Sequence, residues 1–260
     1  MRDIQREIQE NLDAIEREHG VRVLLAVESG SRAWGFASPD SDYDVRFIYV
    51  RTEEDYLRLW PKADVIEWAL DDVLDINGWD LRKALPAMRK GNPVLYEWMR
   101  SPIVYRKDAH WEAVEGTLAD AYTEKPALYH YYGLANKTAR LHLSGNLVSY
   151  KKYFYALRPL LCCRWIEKYH EIPPVEFSRL LDLFSGKEAG LTEDLHAEIL
   201  RLLEEKALTG EKELKPGIQT ISRFIEEDCI QQKLYIDALG NTETKDTEYF
   251  EKVFLELVRD

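Results

Sequence analysis

Asp42 and Asp44 stand two positions apart at the point where a polar segment, Ser38-Pro39-Asp40-Ser41, reads as a turn. The run Asp42-Tyr43-Asp44-Val45-Arg46-Phe47-Ile48-Tyr49-Val50 that follows reads as a strand rich in aromatic and β-branched residues. Side chains on a strand alternate faces, so two acids at this spacing point to one side with Cα atoms roughly 6–7 Å apart. Such a pair suits two divalent cations roughly 4 Å apart, the equipment of phosphoryl or nucleotidyl transfer. Upstream, the apolar run Val23-Leu24-Leu25-Ala26-Val27 reads as a buried strand, with Gly30-Ser31 just beyond it. A residue without Cβ lets the backbone approach a phosphate, and a following helical turn aims N–H groups and a hydroxyl at it. Each feature is common by itself; their pairing is what points to phosphate chemistry.

Three rival motifs fail on residue type. Asp40-Ser41-Asp42-Tyr43-Asp44 opens like a calcium loop, but Val45 stands where Gly is needed and Arg51 where a bidentate Glu is needed. Gly30 and Gly35 have the separation of a P-loop, yet Phe36 and Ala37 occupy the positions of its Lys and Ser or Thr. No G-x-G-x-x-G dinucleotide fingerprint occurs.

The surrounding elements follow from pattern. Ile4, Ile8, Leu12 and Ile15 recur at helical spacing over residues 3–18, and Gly20 supplies a stop. Thr52 is placed to cap a short helix over 52–59 that ends at Pro61. Val65 to Leu70 and Val73 to Asn77 read as two further strands around Asp71-Asp72. From Ala109 the pattern turns helical, with helices expected over 110–122, 127–143, 147–169, 175–183, 192–208, near 218–239 and over 245–258. Gly145-Asn146, Pro173-Pro174, Ser185-Gly186, Gly210 and Gly240-Asn241 mark the breaks. Strands first and helices after give an α+β class: a small mixed β-sheet domain over 1–107, then an α-helical domain over 108–260.

The composition is that of an ordinary soluble protein, with hydrophobic residues at 45% and charged residues at 32%. A formal charge of −12 argues against a protein that coats nucleic acid, though not against a local basic groove. Cys162, Cys163 and Cys229 give neither a disulfide framework nor zinc-ligand spacing, which fits a reducing cytoplasm. No window approaches a membrane span, so no membrane partner is expected.

Gly30-Ser31 followed ten residues later by Asp42-x-Asp44 resembles the signature of the DNA polymerase β-like nucleotidyltransferase superfamily. Asp75 to Leu85, Asn92 to Tyr105 and Lys151 to Pro159 are similar to the branch of predicted nucleotidyltransferases associated with RNA repair. The resemblance spans about residues 20–166. It implies a nucleotidyltransferase domain in the first part and a helical domain that closes the active-site cleft. It also implies a nucleoside triphosphate donor, Mg²⁺ or Mn²⁺, and loss of pyrophosphate on transfer to an acceptor hydroxyl such as an RNA end. Asp42 and Asp44 would be catalytic and bind two Mg²⁺ ions, with Asp75, between Leu74 and Ile76, as the third carboxylate, which helps deprotonate the acceptor hydroxyl or holds the second metal.

Asp80 competes for that third place, but just before Leu81-Arg82-Lys83-Ala84-Leu85 it reads more naturally as a helix cap. Glu67 is a further option. Gly30 and Ser31 would hold the β- and γ-phosphates, with Arg32 and Lys83 near phosphate by position. On a helix Lys151, Tyr155 and Arg158 share one stripe, which suits a triphosphate and a stacked base, though the same residues would serve as core aromatics and solvated cations. A protein hydroxyl, as in a toxin–antitoxin component, or a small molecule remains an alternative acceptor, and a non-catalytic nucleotide-binding module is the alternative to an enzyme.

Overall fold

The computed structural model describes residues 3–38, 41–68, 71, 73–182, 192–208, 213–240 and 243–259. Pro39, Asp40 and Asp72 of the expected turns, the strand end at Ala69-Leu70, and the breaks at Ser185-Gly186, Gly210 and Asn241 lie outside the described residues. The chain forms two compact units, one of Met1–Ala33, Asp42–Tyr122 and Glu243–Asp260, the other of Trp34–Ser41 and Thr123–Thr242.

The first unit begins with α1 (Ile4–His19), capped by the Asp3 carboxylate accepting from the Arg6 N–H and ended at Gly20. It continues through β1 (Val21–Ser29), α2 (Gly30–Ala33), β2 (Tyr43–Arg51), α3 (Glu53–Tyr56), β3 (Val65–Trp68), β4 (Leu74–Asp80), α4 (Leu81–Arg89), α5 (Pro93–Met99), β5 (Val104–Lys107) and α6 (Ala109–Ala119). The sheet has the order β3-β4-β2-β1-β5, with β2 and β4 parallel and the other pairs antiparallel. The fold is α+β around a mixed sheet. Neither α5 nor β5 was expected from the sequence. Asn92 caps α5 ahead of Pro93 at its first turn, and β5 takes its pairing from β1.

Strand alternation sets which side chains can meet. Leu74 and Ile76 of β4 join Val45, Phe47 and Tyr49 of β2 and the α1 residues Ile8, Leu12 and Ile15 in one buried cluster. Asp75 and Asn77, with Asp44 and Arg46, therefore belong to the opposite face. Gly78 lies against the Phe47 ring, where a Cβ would come within 2.1 Å, so the alternation on the core face admits no side chain there.

The second unit contains α7 (Glu124–His142), β6 (Leu147–Ser149), α8 (Tyr150–Tyr169), α9 (Phe177–Asp182), α10 (Glu193–Leu208), β7 (Leu214–Pro216) and α11 (Gln219–Ala238). Helices α7, α8 and α11 pack on one another around α8, whose residues from Tyr153 to Cys163 are buried apart from Tyr155. The helix expected from residue 147 starts at Tyr150, because Leu147 to Ser149 pair with β7 first.

The chain ends in α12 (Thr247–Arg259), which belongs to the first unit. Its Phe250, Val253 and Leu257 are buried, and it packs on α4, α6 and β2. Within the first unit α6 packs on β1, and α12 adds apolar cover through Phe250, Val253 and Leu257.

Candidate active site

Register aligns Asp44 with Asp75 and with the end of β1. Ser29 is opposite Asp44 across β1 and β2, and Asp44 is opposite Asp75 across β2 and β4. Gly30 follows Ser29 with φ +63°, a left-handed conformation that L side chains rarely adopt, and a Cβ there would lie 2.2 Å from Asp44 Oδ2. Both constraints select glycine. Ser31 is buried within α2. Asp42 immediately precedes β2 and is exposed, and its carbonyl accepts from Arg32 Nε at 3.0 Å. The Arg32 guanidinium carbon lies 3.7 Å from the centroid of the Tyr43 ring, which fixes that cation beside Asp42.

Two residues that sequence reasoning passed over join this group. Arg46 Nη2 donates to Asp44 Oδ1 at 3.0 Å and to Asp75 Oδ2 at 2.6 Å. Glu28, buried on β1, accepts from the Asp44 N–H through Oε1 at 2.8 Å and from the Tyr105 hydroxyl through Oε2. Burial pushes the Glu28 carboxyl up; the Tyr105 hydroxyl and the Asp44 N–H pull it back, and the Asp44 charge adds to the rise. The available signals were an arginine two positions past Asp44 in an otherwise apolar strand, and an acid closing the apolar run of β1.

Asp80 stands at the far end of β4. Its Oδ1 caps α4 by accepting from the Arg82 N–H at 2.8 Å and also accepts from the Tyr56 hydroxyl at 2.9 Å, while Oδ2 accepts from Arg51 Nε at 3.2 Å. Those partners make Asp80 the structural cap anticipated for it. Lys83 sits at the same end, 5.0 Å from the Trp79 ring centroid and 3.7 Å from Asp64. Glu67 is exposed on the edge strand β3.

In the second unit, the Lys151 and Lys152 Nζ atoms lie 5.5 and 5.6 Å from the Tyr155 ring centroid. Tyr155 meets Trp34 edge to face at 5.5 Å. Arg158 is buried, with Nε donating to the Val175 carbonyl at 3.3 Å and its guanidinium carbon 4.5 Å from the Trp34 ring centroid. The expected stripe exists, but only Lys151 and Tyr155 reach its accessible part.

Asp42 and Asp44 are hard oxygen donors of the type Mg²⁺ and Mn²⁺ prefer, and Gly30 leaves the Asp44 carboxylate a place that a Cβ would fill. Asp44 and the exposed Asp42 thus supply oxygen donors of the kind such an ion takes. Among the described residues no three His, Cys, Asp or Glu side chains converge as a metal cluster, since Asp75 faces Asp44 across the Arg46 guanidinium. Nor is any helix among them long and apolar enough to cross a membrane.

The mixed sheet thus carries acids in register on its parallel pair of strands, next to the Gly-Ser start of α2. The model of the RNA repair pathway DNA polymerase beta family, RlaP, matches residues 4–256, and the chain belongs to that family. The Bacillus subtilis (strain 168) protein named "Uncharacterized protein YcgL" is 44% identical over 220 residues, which cover 84% of this chain and 83% of that one. A solved nucleotidyltransferase-like protein from Exiguobacterium sibiricum 255-15 aligns over 97% of this chain and 80% of its own at 13% identity, with a TM-score of 0.32.

Proposed function

We propose that this nucleotidyltransferase moves a nucleoside monophosphate from a nucleoside triphosphate to an acceptor hydroxyl and releases pyrophosphate, using Mg²⁺ or Mn²⁺ held by Asp42 and Asp44. The observation that carries this reading is the register of Asp44 with Asp75 on adjacent parallel strands, beside a glycine whose missing Cβ gives the Asp44 carboxylate its place. When bound, the ion would offset triphosphate charge and favour in-line displacement at the α-phosphorus. Gly30 and Ser31 receive the β- and γ-phosphates through N–H groups of the first turn of α2, which have no partner within a helix. Arg32, fixed on the Asp42 carbonyl and the Tyr43 ring, adds a cation beside them.

Asp75 orients the acceptor hydroxyl and takes its proton. The acceptor oxygen then bonds to the α-phosphorus as the bond to the α,β-bridging oxygen breaks, and pyrophosphate leaves with that oxygen. Lys151 and Tyr155 are assigned to triphosphate charge and base. Arg158 acts one step back, by holding Trp34 against Tyr155.

An RNA end is the preferred acceptor, because the family description places its members in an RNA repair pathway. The net charge of −12 confines nucleic-acid contact to a local groove. The test offers the four α-³²P ribonucleotides, with Mg²⁺ or Mn²⁺, to a mixture of short RNAs and total cytosolic protein, with Asp42→Ala as control. Label in RNA from the wild type alone supports the reading. Label in protein alone replaces the acceptor, and label that survives Asp42→Ala removes the site.

A further inference from the structure

Arg46 is bound as a structural ion would be. Beyond the two carboxylate contacts of Nη2, its Nη1 donates to the carbonyl oxygens of Val45 and Asp75, each at 3.0 Å. All four acceptors belong to β2 and β4, the parallel pair that carries the acids. The fork of donors is rigid and the guanidinium does not deprotonate in proteins, so this positive charge is permanent. Arg46 takes Asp44 by Oδ1, whereas Oδ2 of the same carboxylate faces Gly30.

Charge counting gives this placement a consequence. Among the described residues, the acidic residues of the group are Glu28, Asp42, Asp44 and Asp75, with Asp42 joined to it through its carbonyl, and the guanidiniums are Arg32 and Arg46. Taken ionised, they leave two negative charges before any nucleotide arrives, which one divalent ion balances. A second divalent ion between Asp44 and Asp75 would have to displace Arg46 from four hydrogen bonds or sit against it as a like charge.

We propose that Arg46 is the resident cation of the Asp44–Asp75 pair and that the site accordingly takes one divalent ion, through Asp42 and Asp44, instead of two. Arg46 then holds the Asp75 carboxylate in place and contributes fixed positive charge where the triphosphate arrives. The inference rests on Asp42 and Asp44 being the metal carboxylates of the transferase reading.

Mn²⁺ alone, counted by electron paramagnetic resonance as ions bound per chain at millimolar concentrations, tests it without turnover. Wild type is expected to bind one ion, Asp44→Ala none, Arg46→Lys one and Arg46→Gln two, the last with a second site at least tenfold tighter than any residual second site in wild type. Two ions or none on the wild type would overturn the inference, as would an unchanged count of one in a folded Arg46→Gln. If Arg46→Gln does not fold by circular dichroism, the wild-type and Arg46→Lys counts decide. One bound ion together with no nucleotide incorporation would overturn the transferase reading and leave this inference standing; two bound ions with incorporation would do the reverse.

Discussion

Asp75 and Asp80 lie five positions apart on one strand and meet entirely different partners. Asp75 faces Asp44 and Arg46, while Asp80 binds Arg51, Tyr56 and the first turn of α4. Alanine at Asp75 should therefore lower nucleotide incorporation by about 100-fold or more while leaving the denaturation midpoint nearly unchanged, an effect of the size seen when one preorganised group is lost. Gly30→Ala should combine both kinds of damage. It meets a backbone penalty of roughly 1–2 kcal/mol at positive φ, and its Cβ must push aside the Asp44 carboxylate. Incorporation should fall as far as in Asp44→Ala, with a measurable loss of stability in urea. Asp42, Asp44 and Gly30 could be singled out from sequence because residue type and short spacing suffice to suggest them. Arg46 and Glu28 were passed over because the contacts that join Arg46 to Asp75 and Glu28 to the Asp44 N–H span 29 and 16 positions and are supplied by strand register.

At the scale of elements, the junction of β4 and α4 depends on Asp80. Its side chain and that of Arg51 are only 4% and 6% exposed, so Asp80→Ala breaks a buried pair and removes a helix cap. A loss of about 3 kcal/mol or more is expected in urea denaturation, with incorporation per folded molecule retained. Burial raises the Asp80 carboxyl above its ordinary value, against the pull of the Arg82 N–H, the Tyr56 hydroxyl and Arg51. The folded chain then holds that proton more tightly than the unfolded one. Stability from this group is full below about pH 4 and is lost as the pH rises through the raised value. The stability of wild type relative to Asp80→Asn should accordingly fall as the pH rises from about 4, measured by urea midpoints at a series of pH values. The helix cap was visible in the sequence because capping is local chemistry. β5, β6 and β7 were not, since runs of three or four residues become strands only through a partner.

At the scale of the whole molecule, α12 is the element whose place the sequence conceals. Its amphipathic pattern predicts a helix near 245–258, but nothing local says that Phe250, Val253 and Leu257 are buried in the unit that carries the sheet. Each such side chain contributes about 1.5–3 kcal/mol on burial. Removal of residues 243–260 should therefore leave a chain that aggregates or unfolds well below the wild-type midpoint, by circular dichroism and gel filtration. A fragment of residues 1–107, which lacks α6 and α12, should not fold by itself. Stable folding of that fragment would contradict the division of the chain described above.

The most direct test of the central claim compares initial rates of α-³²P nucleotide incorporation for wild type, Asp44→Asn, Asp75→Asn and Asp80→Asn, each assayed well below its own denaturation midpoint. The account predicts near-background rates for Asp44→Asn and Asp75→Asn and a rate close to wild type for Asp80→Asn. Incorporation that survives in the first two, or that disappears in folded Asp80→Asn alone, would contradict it.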